Sequence, residues 1–148
     1  CEGRQSDNTV IIARTDVRGV GSIKDCLSRI EAYHNAGADW IFPEALQSQE
    51  EFSAAGVLLK ELHSTGLANM TEFGRGPLLS REALGTLGFA AVLYPVTLLR
   101  LAMKAIEVGL EVLGDEGSQE TLLDLMQTRE ELYELLDYDP AQENNKNP

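Results

Sequence analysis

Basic residues are scarce in this chain: Lys and Arg number 12 against 24 Asp and Glu, giving a formal net charge of −12. A nucleic-acid backbone is thereby excluded as a partner, because phosphate binding needs clustered cations. Much of the acidic excess lies between Glu107 and Glu143, on what reads as a surface helix and a tail, where it serves solubility. Cysteine is nearly absent. Cys1 and Cys26 have none of the spacing of a zinc site or a disulfide framework, and Cys26, set among helix formers, reads as a buried free thiol. No apolar run reaches the ~18 residues that cross a bilayer, and the opening CEGRQSDNT is polar, so neither a membrane span nor a signal peptide is expected. The expected location is cytoplasmic, or the mitochondrial matrix in a eukaryote. HExxH, GxSxG, Walker and paired-Cys motifs are missing, as is an initiating Met, and the 148 residues read as a piece of something larger.

What is present is a globular composition, 43% hydrophobic and 24% charged, arranged as a repeated pair of elements. NTVIIARTD (8–16) is a β-branched run of strand length that ends in polar groups, as a buried parallel strand does on leaving a core. Residues 22–36 follow with apolar Ile23, Cys26, Leu27, Ile30 and Tyr33 at helical steps, Ser22 as N-cap and Gly37 as stop. The pattern recurs as strand 38–45 and helix 48–63, strand 66–74 and helix 80–87, then strand 89–97 and helix 98–113. After GDEG, a second amphipathic helix is expected over 120–136, with Leu122, Leu125, Met126, Leu132 and Leu136 as its stripe.

Four βα pairs about 25 residues apart predict a parallel sheet with right-handed crossovers. The chain is too short for a complete eight-stranded barrel of ~250 residues, whereas half a barrel or a small doubly wound sheet would fit. Each strand finishes on chemically capable groups: Arg14 to Asp16, Glu44, Asn69 to Glu72, and Tyr94 to Thr97. Barrels assemble sites from several strand ends at once, so the half barrel is favoured. The expected organisation is a half β/α barrel over 1–117, a C-terminal helical segment over 118–138 and a flexible tail over 139–148.

Arg14 offers a fork that matches a carboxylate or phosphate, or else a simple ion pair with Asp16 two residues on. Glu44, after Pro43 at the end of an apolar strand, either handles hydrogen bonds and protons or caps the next helix. In ANMTEFGRGP (68–77) an amide, a hydroxyl and a carboxylate precede two glycines, which form a plain turn or let backbone amides approach an anion. His34 and His63 sit near helix ends, where they complement the dipole, and receive no functional role.

IIARTD (11–16), IFPEA (41–45), ANMTEFG (68–74) and LYPVTLLR (93–100) occur together and in order. This set resembles strands five to eight of the isocitrate lyase and phosphoenolpyruvate mutase superfamily, most like its 2-methylisocitrate lyase branch, and MQTREELYELLDY (126–138) is similar to that branch's C-terminal segment. The opening 1–10 reads like the end of the helix before strand five. The resemblance implies a Mg²⁺-dependent carbon–carbon lyase that splits a 2-hydroxy tricarboxylate into pyruvate and succinate. It also implies substrate-binding roles for Arg14, Glu44, Asn69 and Arg129, with Leu93 and Pro95 as apolar pocket wall, and an exchange of the 118–138 segment between subunits. The family's metal-binding aspartates and Lys-Cys-Gly-His loop have no counterpart here, so no catalytic or metal residue is assigned. Expected partners are a small carboxylate or phosphonate and either the N-terminal half barrel or further copies of the chain in a homo-oligomer. Phosphonopyruvate or carboxyphosphonoenolpyruvate mutase, dimethylmalate lyase, oxaloacetate decarboxylase and a non-catalytic half-barrel binding module stand as alternatives.

Overall fold

The computed structural model describes residues 3–6 and 8–140. Cys1 and the expected tail from 141 onward lie outside the described residues. Strands β1 (Ile12–Thr15), β2 (Trp40–Pro43), β3 (Thr65–Asn69) and β4 (Ala91–Leu93) alternate with helices α1 (Ile23–Asn35), α2 (Gln49–Glu61), α3 (Arg81–Leu87) and α4 (Thr97–Glu116). The strands are shorter than the apolar runs that contain them, because only these residues find ladder partners. Gly3–Ser6 and the stretch from Asn8 to Ile11 form no helix, contrary to the expected helix end. Instead Asp39 holds this segment: its carboxylate pairs with Arg4 and accepts the Ile11 N–H at 2.8 Å.

The sheet is wholly parallel in the order β1-β2-β3-β4. A doubly wound sheet reverses its order at a switch point and carries helices on both faces, whereas an unreversed order with right-handed crossovers keeps the helices on one. The register then sorts every strand residue. Ala13 pairs with Ile41, Ile41 with Gly66, and Ala68 with Val92, so these share one face of the pleat. That face carries the core. Ile41 and Ala68 pack with Cys26 and Ile30 of α1, Phe52, Ala55 and Leu59 of α2, and Leu84 of α3. Phe52 and Phe89 meet edge-on with ring centroids 5.6 Å apart. Burial pushes the Cys26 thiol up to about 11, with Glu51 adding to the shift, so this cysteine behaves as an apolar side chain.

Local signals start the helices. Ser22 accepts the Asp25 N–H while Asp25 bonds back to Ser22, and Ser48 and Ser80 accept from Glu51 and Ala83 three residues on. Gly37, with φ of 87°, turns the chain after α1. The turn after β1 is pinned to α2 by Arg18, which donates to both Glu51 oxygens at 2.8–3.0 Å and to the Gly21 carbonyl at 3.1 Å. Among the described residues no helix is long and apolar enough to cross a membrane.

The chain separates into two compact units, 1–99 and 100–148. In the second unit the continuous helix expected over 120–136 is two pieces, a 3-10 turn Glu120–Leu125 and helix α5, Arg129–Leu135. Met126 is extended and Thr128 opens α5 with a complete capping box to Glu131, which supplies a new helix start where a single helix would have run through. Leu122 is the buried member of the expected stripe, whereas Leu125, Met126, Leu132 and Leu136 are exposed.

Gly56, inside α2, lies against the end of α3: a β-carbon there would stand 2.0 Å from the Leu87 carbonyl oxygen. Gly56→Ala gains at most about 1 kcal/mol of helix propensity and must displace backbone, so a net loss of roughly 1–3 kcal/mol is expected in urea unfolding. An unchanged or raised midpoint would show that α2 and α3 are not in this contact. The face opposite the core leaves Ile12 45% and Leu93 41% exposed, so the isolated chain should self-associate at micromolar concentration. Light scattering from a lone monomer that unfolds cooperatively would refute that.

Candidate functional site

Arg14, Phe42, Asn69 and Leu93 occupy the face of the sheet opposite the core, because Arg14 pairs with Phe42 and Asn69 with Leu93 in the alternate register positions. Glu44, two residues beyond Phe42, continues that parity. Its N–H extends the ladder by donating to the Thr15 carbonyl at 2.9 Å. Three polar strand ends therefore converge at the C-terminal edge of three adjacent strands.

Glu44 is the hub. Its Oε2 accepts the Asn69 Nδ2–H at 3.1 Å and lies 3.5 Å from Arg14 Nη2, while Oε1 accepts the Ala45 N–H at 3.1 Å. Only 19% of the Glu44 side chain remains exposed, and these partners offset the cost of placing a carboxylate there. The capping alternative for Glu44 is not seen, since Ser48 caps α2. Thr71 closes the chain of bonds by donating its hydroxyl to Asn69 Oδ1 at 3.0 Å, which orients the amide with its NH₂ toward Glu44. Nearby, the Thr97 hydroxyl donates to Glu72.

Arg14 lies over the Phe42 ring, with Cζ 4.9 Å from the centroid, and grips Asp16 through Nε at 2.9 Å and Nη2 at 2.7 Å. Of the two sequence alternatives the local ion pair with Asp16 is formed, and the same Nη2 also reaches toward Glu44. The side chain is 51% exposed, so the pair is screened and its guanidinium stays accessible to a ligand. Leu93 is exposed on the same face and Pro95 is exposed just beyond it. Arg129 is the first residue of α5, exposed, in the second unit.

A cavity of about 280 Å³ opens beside Glu44, near the lower end of the ~300–1,000 Å³ usual for small-molecule sites. Its polar lining comes from Glu44, Gln47, Asn69, Thr71 and Arg75, and its apolar wall includes Leu46 and Phe52. Ala45 holds φ of 64° at the rim, a left-handed conformation unusual for alanine that turns the chain toward α2. Sequence reasoning missed Ala45, Phe42 and the cavity's use of Arg75. Nothing in a single sequence marks the first, but the Asn-x-Thr spacing at 69–71 was a readable sign that the hydroxyl and amide share a side of the strand.

Among the described residues no group of three or more His, Cys, Asp or Glu is placed to hold a metal ion. Asp16 and Glu44 both face the Arg14 cation, a donor set unsuited to a hard dication that requires several free oxygens. The residues present therefore do not fit Mg²⁺.

Polar groups at the C-terminal ends of parallel strands, with helices on the far face, are the arrangement that β/α-barrel enzymes use at their active-site edge. The family profile described as phosphoenolpyruvate phosphomutase matches residues 2–113. The chain belongs to that family, within the isocitrate lyase and phosphoenolpyruvate mutase superfamily. The 2-methylisocitrate lyase of Halalkalibacterium halodurans is 47% identical over 138 residues, 93% of this chain and 45% of that protein. A solved oxaloacetate acetylhydrolase with its product oxalate is similar with a TM-score of 0.77 and 31% identity, over 93% of this chain and 46% of that one. A phosphonopyruvate hydrolase solved with oxalate and Mg²⁺ is similar with a TM-score of 0.72 over 92% of this chain and 48% of that one, and at 22% identity it speaks for the fold alone. The chain spans about half the length of the relatives it matches, and its fold is half of their barrel.

The Arg14 hydrogen bonds hold the Asp16 carboxyl below its ordinary 3.8. A depressed folded value means the pair's stabilisation is present above pH 3.8 and is lost as pH falls through the lowered value. Replacing Arg14 by Gln should return the Asp16 titration, followed by carboxyl carbon NMR, toward 3.8. A curve that does not move would show that the pair is not formed in solution.

Proposed function

We propose that this chain supplies the substrate-carboxylate half of a carbon–carbon lyase that cleaves 2-methylisocitrate to pyruvate and succinate. The observation that carries the reading is the convergence of Arg14, Glu44 and Asn69 through one carboxylate oxygen at the open end of three parallel strands. The similarity to 2-methylisocitrate lyases supports the choice of substrate within the family.

Each group has a role set by its chemistry. Arg14 uses the donors that Asp16 leaves over to bind a substrate carboxylate, and Phe42 beneath it limits where the guanidinium can swing. Asn69, with its carbonyl oxygen held by Thr71, presents an N–H to a hydroxyl or carboxylate in the cavity. Glu44 accepts a substrate hydroxyl proton or holds that hydroxyl in place, the step that must accompany retro-aldol cleavage of a 2-hydroxy acid. The apolar Leu93 and Pro95 complete the substrate contacts that the first unit offers in the assembled enzyme. Mg²⁺, which resemblance implies for the complete enzyme, would stabilise the developing enolate. The groups here do not fit it, so the metal ligands and the acid that ends the cleavage belong to a complementary half barrel, which would pack on the open face of the sheet.

The test is pyruvate release from 2-methylisocitrate, followed through a coupled lactate dehydrogenase. The 148-residue chain alone should show no measurable turnover, since losing even one well-placed stabilising group costs on the order of 10²–10³ in rate. Adding the N-terminal half of a relative together with Mg²⁺ should restore activity, and Arg14→Lys should then lower it by roughly tenfold or more, because an ammonium cannot replace the bidentate fork. Metal-dependent turnover by the chain alone would overturn this division of labour.

A further inference from the structure

The cavity beside Glu44 presents an electrostatic mismatch. Apart from one arginine, its polar side chains are a carboxylate, two amides and a hydroxyl, yet the proposed substrate carries three carboxylates. Arg14, the cation nearest the hub, already serves Asp16 and Glu44 and is not among the residues lining the cavity. The basic residue on that lining is Arg75. It is exposed at the mouth and forms neither an ion pair nor a hydrogen bond with the described residues, so its full donor set faces the cavity opening uncommitted.

The loop that carries Arg75 is held in place from both sides. Gly76 presses on the turn after β2, where a β-carbon would stand 2.4 Å from the Leu46 carbonyl oxygen, so no larger residue fits without moving the loop. Beyond Pro77, the Leu79 N–H donates to Met70 Sδ at 3.3 Å, and Met70 is itself buried in the core. The backbone of Arg75 is thus fixed against two anchored segments while its side chain remains unpaired. A cation so placed lowers the energy of an anion in the cavity and does so most for the ligand with the most charge.

We infer that Arg75 is a specificity-determining residue that binds a second carboxylate of the substrate at the cavity mouth, selecting tricarboxylates over dicarboxylates. This rests on the proposed reading of the Arg14, Glu44 and Asn69 site as a carboxylate site. Arg14 and Arg75 then hold the two ends of one ligand, with Asn69 and Glu44 addressing its middle.

The experiment is calorimetric titration of the full 148-residue chain with tricarballylate and, separately, with succinate, for the unaltered protein and for Arg75→Ala, Arg75→Lys and Arg14→Gln. Arg75 is exposed and unpaired, so its replacement leaves the fold intact. The expected result is that Arg75→Ala weakens tricarballylate by roughly tenfold, about the worth of one charge-assisted contact, and changes succinate by less than about threefold. Arg75→Lys should recover part of the loss. Tricarballylate binding that is the same with and without Arg75, or an equal loss for both probes, would overturn the inference while leaving the Arg14 site standing. If Arg14→Gln changes neither affinity, the site reading falls and the inference, which has Arg14 hold the other end of the ligand, falls with it. Absence of binding by the unaltered chain at millimolar probe would overturn both.

Discussion

Everything in the first unit depends on the parallel pairing register. Because side chains alternate across the pleat, the pairing of Ala13 with Ile41 and of Ile41 with Gly66 sends those residues to the helices and, in the same act, sends Arg14 and Asn69 to the opposite face. A slip of one residue in β1 would turn Arg14 toward the helices and Ala13, Ile41's partner, to the opposite face. The apolar packing that favours the register is therefore what places the charged groups. Core and site are two sides of one choice, and the free energy of the first secures the geometry of the second.

Within the site, the energetics rest on one half-buried carboxylate. Glu44 must be satisfied, and the Ala45 N–H, Asn69 and Arg14 share that task from three positions along two other segments and its own. The exposed Arg14 and Asp16 pair adds little to stability at this exposure. Its effect is on charge balance. With Asp16 and Glu44 both beside it, Arg14 is the one cation of a cluster that is net negative.

The strands and their polar ends were legible because β-branched runs, helical periodicity and Ser caps all point to the same elements. Arg14, Glu44 and Asn69 could be named from their positions at those ends. Their mutual contact could not, since it follows from which residue pairs with which across strands 25 or more apart in sequence. Phe42 under Arg14 is the plainest case: the two are register partners, and nothing local joins them. Besides the expected helix end over 1–10, the helix over 120–136 was misread, for a local reason that the residues did display. Thr128 followed by Glu131 is a helix-start signature, and a start in mid-stripe divides the helix. Periodicity outweighed it because Leu122, Leu125 and Leu132 keep helical spacing across the break.

Four of the helices, α1, α2, α3 and α5, open on a Ser or Thr hydroxyl that accepts an N–H three residues on. Each helix thus carries its own starting instruction, independent of what it later packs against. The nonlocal decisions left to the first unit are three, the pairing of each strand with the next one along the chain, and these are of short sequence range for a sheet. Such a polypeptide is modular in the sense relevant to gene rearrangement. A strand and helix pair can be duplicated, or joined to a partner pair from another barrel, without rewriting the signals inside it.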